Sequence, residues 1–341
     1  MAETWKVCTD RVPSRDLMRP QRAFSARGGM RAISPIGKTW MKGTTLHARF
    51  LGGTPAQQAT ARDQAGWWTK FANIAINFDN SPNAEIRIAF DPSDGAWSYI
   101  GTDGRQTSGN EPTMNLGFLD GGTAGHEFGH ALGLAHEHSS PLGGIQWNEP
   151  VVIAALAKPP NMWDEETTRH NVLRKYSLNQ VNGTAFDPES IMLYFFPAEW
   201  TLNGIGTEAN EELSAMDKAF IASEKMYPRT GGTLADATPL EVNAKRRTGA
   251  EIGMFGEEDL FQFTAARDGQ HVIDTQGPSD VVMKLFGPNS PTALIAEDDD
   301  SGFALNARIA TDLVAGKYFV QVRHYNRASG QGKYSIKVRK V

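Results

Sequence analysis

The stretch HEFGHALGLAHEH occupies residues 126–138 and holds four of the chain's eight histidines. His126 and His130 are four residues apart, so on a helix their imidazoles share one face, one turn apart. Glu127 stands beside the first and leans over the same space. Gly133 follows three residues after the second histidine. A glycine there adopts positive φ at little cost, ends the helix and turns the chain back. That turn brings His136 round to the first two imidazoles. The thirteen residues therefore predict three imidazoles and a carboxylate gathered about one point.

Such a set suits zinc, which binds histidine nitrogen at about 2.0–2.1 Å. Three protein ligands leave a fourth position for water, the arrangement of a catalytic rather than a structural zinc. Zinc lowers the pKa of its bound water toward neutrality and polarises a scissile carbonyl. Glu127 is placed to accept a proton from that water and pass it to the leaving amine. Against ordinary residue usage, a chance H-E-x-x-H-x-x-G-x-x-H match in this chain has a probability on the order of 1 in 10⁴ to 10⁵. The bland alternative, a helix with merely solvated or capping histidines, is disfavoured on that ground. A bare HExxH would not carry the same weight.

The rest of the chain fits this chemistry. Its 341 residues suffice for two domains, and 40% hydrophobic with 21% charged residues is ordinary for a globular protein. A net charge of −5 is too mild to suggest nucleic acid as partner. No apolar run approaches the ~20 residues that span a bilayer, so no membrane association is expected. The first residues, MAETWKVCTDRVPSRDLMRP, lack the apolar core of a signal peptide. Either the chain remains inside the cell, or it leaves by another route, or its signal is not in this sequence. Cys8 is the single cysteine, so no intramolecular disulfide forms.

Composition divides the chain into four segments. Residues 1–31 are rich in Arg, Gly, Ser and Pro and read as a weakly structured arm or pro-segment. Residues 32–227 form the catalytic domain. Within it TLHARFL (45–51) reads as a strand, and 54–74 as a helix with Thr54 as N-cap, Pro55 in the first turn and Gln57 closing a capping box. AEIRIAF (84–90) alternates, with Ile86, Ile88 and Phe90 on one face. The polar region after the histidines, up to about Tyr227, reads as largely helical. Residues 228–239 have a linker's composition. Residues 240–341 hold short alternating runs separated by Gly, Pro, Asn and Asp, the pattern of a small all-β sandwich. Tyr334, Ile336 and Val338 are expected in its core.

The long histidine motif resembles the metzincin signature, which predicts a downstream Met-turn. ESIMLY (189–194) is similar to one, with Met192 as an apolar floor under the metal. Glu137, the Ser-x-Met-x-Tyr pattern, GAWSYIGT (95–102) and TMNLG (113–117) together resemble the astacin-like branch over roughly residues 38–227. The resemblance implies an α+β, two-lobed catalytic domain, a twisted mixed sheet plus a zinc-binding active-site helix, and one catalytic zinc. It implies Tyr194 as an additional zinc ligand that swings away to hydrogen-bond the oxyanion. It implies Glu137 as a partner of the mature N-terminal amino group. It also implies an edge strand that pairs with substrate backbone. Trp97, Ser98, Tyr99 and Ile100 are the candidates, with plain core packing as the alternative for Trp97 and Tyr99. Animal astacins carry two disulfides and a different continuation after Glu137, so the match is to bacterial-type relatives.

The C-terminal runs 259–287, DDDSG (298–302) and 307–322 resemble the bacterial pre-peptidase C-terminal domain. Such domains accompany secreted proteases, which implies export. Asp298, Asp299 and Asp300 are candidate calcium ligands; the alternative is an acidic turn closed by Gly302. His138 reads as a solvated or supporting histidine, and His47, His170, His271 and His324 as surface or strand residues. Cys8 is a candidate latent-state ligand at the open zinc position, with the chain cut near Arg31 on activation. Alternatively it is a free cysteine on a mobile arm. The expected function is a zinc endopeptidase acting on protein or peptide substrates as a monomer. Two alternatives stay open, an adhesion or targeting protein driven by the β-domain and a hydrolase of non-peptide bonds.

Overall fold

A computed structural model describes residues 8–11, 34–35, 37–141, 143–159, 161–176, 181–182, 186–193, 195–228, 233–254, 256–326 and 329–341. The chain forms two compact units, residues 1–40 with 45–222, and residues 41–44 with 223–341. No helix among the described residues is long and apolar enough to cross a membrane.

The first unit contains β1 (Thr9–Arg11), β2 (Ser34–Pro35), β3 (Thr45–Phe50), α1 (Pro55–Thr69), β4 (Ala75–Phe78), β5 (Ile86–Ala89), β6 (Ala96–Tyr99), β7 (Met114–Leu116), α2 (Thr123–Ala131), α3 (Glu149–Leu156), α4 (Glu165–Thr168), β8 (Val181–Asn182) and α5 (Ala215–Ile221). Its main sheet runs β1-β6-β7-β5-β3-β4 and is mixed; β6 and β7 are antiparallel and the other neighbours parallel. The α1 cap forms as its sequence predicts. Thr54 Oγ1 accepts from Gln57 N–H, and Gln57 Oε1 accepts from Thr54 N–H. The helix stops at Thr69 rather than continuing to Ile74.

Several expectations change. The arm is not wholly unstructured, because Thr9–Arg11 form β1 and Cys8 is buried; residues 12–33 lie outside the described residues. In the uncut chain AWSYIG is not the outermost strand, since β1 pairs outside it with Thr9 opposite Trp97 and Arg11 opposite Tyr99. Among its described residues the region from 139 to 227 is mostly irregular. Pro150 starts α3, but Pro159, Pro188 and Pro197 interrupt helical propagation by lacking an N–H donor. Nor does β5 bury a single face. Arg87 is buried along with Ile86 and Ile88, and its guanidinium donates to the carbonyls of Glu111 and Ala84.

The second unit contains β9 (Thr238–Pro239), β10 (Arg247–Ile252), β11 (Glu258–Ala265), β12 (Gly269–Gln276), β13 (Val281–Phe286), β14 (Leu294–Asp298), β15 (Arg308–Leu313), β16 (Gly316–His324) and β17 (Gly332–Lys340). They make two sheets, β10-β17-β12-β15 and β14-β13-β16-β11-β9. A common core holds Phe263, Ile273, Leu285, Ile309 and Val320 together with Tyr334, Ile336 and Val338, as their alternation predicts. Residues 238–239, read from composition as linker, pair with β11. The sandwich also buries Met41, against Leu260, Phe286 and Phe319.

Asp259 in β11 accepts a 2.5 Å hydrogen bond from the Tyr334 hydroxyl. Burial pushes its carboxyl up to about 6, the tyrosine bond opposing and Glu257 adding to the rise. The folded state thus holds a proton that the unfolded chain, titrating near 3.8, has released. Stability therefore falls as pH rises from about 4 through 6 and levels off above. Asp259→Asn keeps the acceptor and removes the charge. Thermal unfolding of the variant should lose this slope, gaining roughly 2–3 kcal/mol on wild type at pH 7.5 relative to pH 4. An unchanged slope would count against the assignment.

Candidate metal centre

Helix α2 is fixed from its first turn. Gln64 of α1 accepts from Gly125 N–H at 2.8 Å and donates to Gly121 O. Trp68 Nε1 donates to Gly125 O at 2.7 Å. Close approach requires glycine on this face. A Cβ at Gly125 would lie 2.9 Å from the Trp67 ring, and one at Gly129 2.4 Å from Met192 Sδ. At the other end Gly133 takes φ +100° and its N–H donates to His130 O. The chain then reverses, as the sequence predicts.

The reversal brings His136 to His126 and His130. The three Nε2 atoms stand 3.0–3.1 Å from one another. His126 Nδ1 donates to Ile191 O at 2.7 Å and His130 Nδ1 to Leu134 O at 2.9 Å. With Nδ1 carrying the proton, each Nε2 presents a lone pair. Lone pairs converging at this distance repel unless a cation lies between them, so the donor set fits zinc. Burial holds the His136 imidazole well below the ordinary histidine range, with His126 and His138 adding, and a neutral ring is what a metal requires. Cys8 Sγ joins the group, all four ligand atoms lying within 4.8 Å of one another. This is the single such group of three or more His, Cys, Asp or Glu ligands among the described residues.

Glu127 is fully buried beside His126. The Ser190–Leu193 turn passes beneath the helix, with Met192 against Gly129. Glu137 N–H donates to Met192 O at 2.9 Å, tying the third histidine's neighbour to the same turn. Glu137 is itself buried and accepts from Asp187 N–H. Burial pushes its carboxyl up to about 8, with Asp217 and Asp187 contributing. His138 is not solvated. It is buried, donates from Nε2 to Asn171 O at 3.1 Å, and stacks on His136 at 5.2 Å.

Sequence reasoning missed Asp217 and Ser190. Asp217 accepts from Ser190 Oγ, Ile191 N–H and Ser214 N–H, so the third residue of α5 holds the turn that carries Met192. The Ser214-x-x-Asp217 capping pattern signals the helix start, but nothing local signals the second attachment. Of the expected substrate residues, Trp97, Ser98 and Ile100 are buried and Tyr99 is half-buried. Tyr194 lies outside the described residues. Asp298 Oδ2 is taken by the N–H groups of Ser301 and Arg308. A Cβ at Gly302 would lie 2.3 Å from Asn306 O. Asp298 thus closes its own turn. His271 is buried on β12, and His47 and His324 lie on β3 and β16.

A mixed sheet over a helix bearing two histidines, with a third returned by a glycine turn, defines a metallopeptidase-type zinc centre of the metzincin class. Residues 35–218 match the model of the astacin peptidase family. The chain belongs to that family. It is similar to myroilysin, 37% identical with TM-score 0.56, over 58% of this chain and 99% of that one. It is 28% identical over 126 residues to zinc metalloproteinase nas-30 of Caenorhabditis elegans. That match spans 37% of this chain and 16% of the nematode protein. The pre-peptidase C-terminal domain of a Bacillus anthracis collagenase aligns with 30% of this chain and 94% of its own length, at 18% identity and TM-score 0.26.

Proposed function

We propose that this protein is a secreted zinc endopeptidase held latent by its N-terminal arm. The observation that carries the reading is the trio of Nε2 atoms 3.0–3.1 Å apart, beside buried Glu127. Zinc held by His126, His130 and His136 supplies a Lewis acid that acidifies water and polarises a carbonyl. Glu127 takes the proton from the attacking water and returns it to the leaving amine. Met192, in the turn we read as the Met-turn, packs under the histidines. Tyr194 donates its hydroxyl to the developing oxyanion. Protein or peptide is the substrate, and the chain acts as a monomer. Latency is supported by Cys8 beside the histidines and by β1 on the outer side of β6.

The test combines metal analysis with digestion of a peptide library after the arm is cut. One zinc per chain, loss of cleavage with phenanthroline and its recovery with zinc are expected. A fully active chelated protein would refute the reading. Tyr194→Phe should keep its zinc and lose ~10²–10³ in kcat, the usual cost of one oxyanion donor. A loss confined to KM would contradict that role.

A further inference from the structure

Beside the N-terminal end of α2 a cavity of about 240 Å³ shares His126 and Glu127 with the metal centre. Its size is below the roughly 300–1,000 Å³ of pockets for drug-sized ligands, so it suits a side chain rather than a cofactor. Ile191 and Leu193 from the turn line it, and Phe118 and Phe195 add aromatic surface. Asp120 and Glu211, both exposed, add carboxylates, and no Lys or Arg is among the described lining residues. Glu211 lies close against the two glycines that open α2. A Cβ at Gly121 would lie 2.9 Å from Glu211 Cγ, and one at Gly122 2.8 Å from Glu211 O. The two glycines let this acidic segment close over the helix start.

We infer that this cavity is the specificity pocket of the site and that it takes the cationic side chain of a substrate lysine or arginine; the inference rests on the peptidase reading above. A long side chain with an apolar stem and a charged head matches an apolar interior with carboxylates nearby. The aromatic faces favour a cation as well. The start of α2 carries a partial charge equivalent to about +0.5, which two full carboxylates outweigh. An acidic side chain would meet Asp120, Glu127 and Glu211 together. The chain's own arm has the complementary chemistry. Cys8 lines the cavity, and residues 12–33 carry Arg15, Arg19, Arg22, Arg27 and Arg31 against Asp16 alone.

The test uses the zinc-loaded Cys8→Ala protein after its arm is cut near Arg31, with and without Glu211→Lys. A peptide library digest should place Lys or Arg at one fixed position from the cut, favoured about tenfold over Leu in kcat/KM. That ratio corresponds to about 1.4 kcal/mol. Glu211→Lys should turn the preference toward Asp or Glu, and Glu211→Gln should weaken it. Cleavage without a basic preference, or a preference that Glu211→Lys leaves unchanged, overturns the inference. If nothing is cut, the peptidase reading has failed, and calorimetry still decides the pocket. Matched Lys, Leu and Glu peptides are then titrated into the Cys8→Ala, Glu127→Ala protein. Tighter binding of the Lys peptide that Glu211→Lys abolishes supports the pocket, and equal binding of all three overturns it.

Discussion

Glu127→Ala is expected to keep the zinc and lose the hydrolysis. The side chain is buried at the centre, yet the imidazoles are fixed by other groups, Ile191 O for His126 and Leu134 O for His130. Truncating the glutamate leaves those anchors untouched. A positioned general base contributes typically ~10²–10⁴ to rate, and the loss should fall in kcat. His130→Ala offers the contrast. It removes a ligand, and two remaining imidazoles hold zinc poorly, so metal and activity should fall together. Metal content per chain and initial rates, both taken after the arm is cut, separate the two outcomes. Cleavage by Glu127→Ala at the wild-type rate would sink the proposed role.

The features readable in the sequence were those set by local geometry. His126 and His130 share a face because helical periodicity puts them there, and Gly133 turns the chain because it can adopt φ +100°. The Thr54–Gln57 cap and the alternation of Tyr334, Ile336 and Val338 belong to the same kind. What escaped depends on contacts between distant residues. Arg87 sits buried in a strand because carbonyls from separate loops surround its guanidinium, which no alternation pattern encodes. Asp217 holds the turn that carries Met192 from 25 residues away in sequence. His138 reads as either solvated or supporting, and only the distant Trp147 contact, with His136 on the other side, decides for the buried, supporting position. The strand outside β6 escaped because β1 comes from a segment whose composition resembles a loose arm.

Cys8→Ala is expected to release activity in the uncut chain. The Cys8 sulfur lies within 4.8 Å of the histidine nitrogens, and zinc with three imidazoles accepts a thiolate in its remaining position. A sulfur there excludes the water that hydrolysis needs. The arm adds a second block, because β1 pairs along β6, where a substrate backbone would add as a strand. The alanine variant removes the first block and leaves the second. Uncut wild type should therefore be nearly inactive, uncut Cys8→Ala at least about tenfold more active, and both equal after cleavage near Arg31. Thiol labelling gives a readout independent of turnover. A zinc-held thiolate should resist N-ethylmaleimide in the native protein and react once a chelator removes the metal. The switch fails if uncut wild type and Cys8→Ala, with N-terminal sequencing proving both intact, have equal specific activity. It fails equally if Cys8 labels at the same rate with and without chelator.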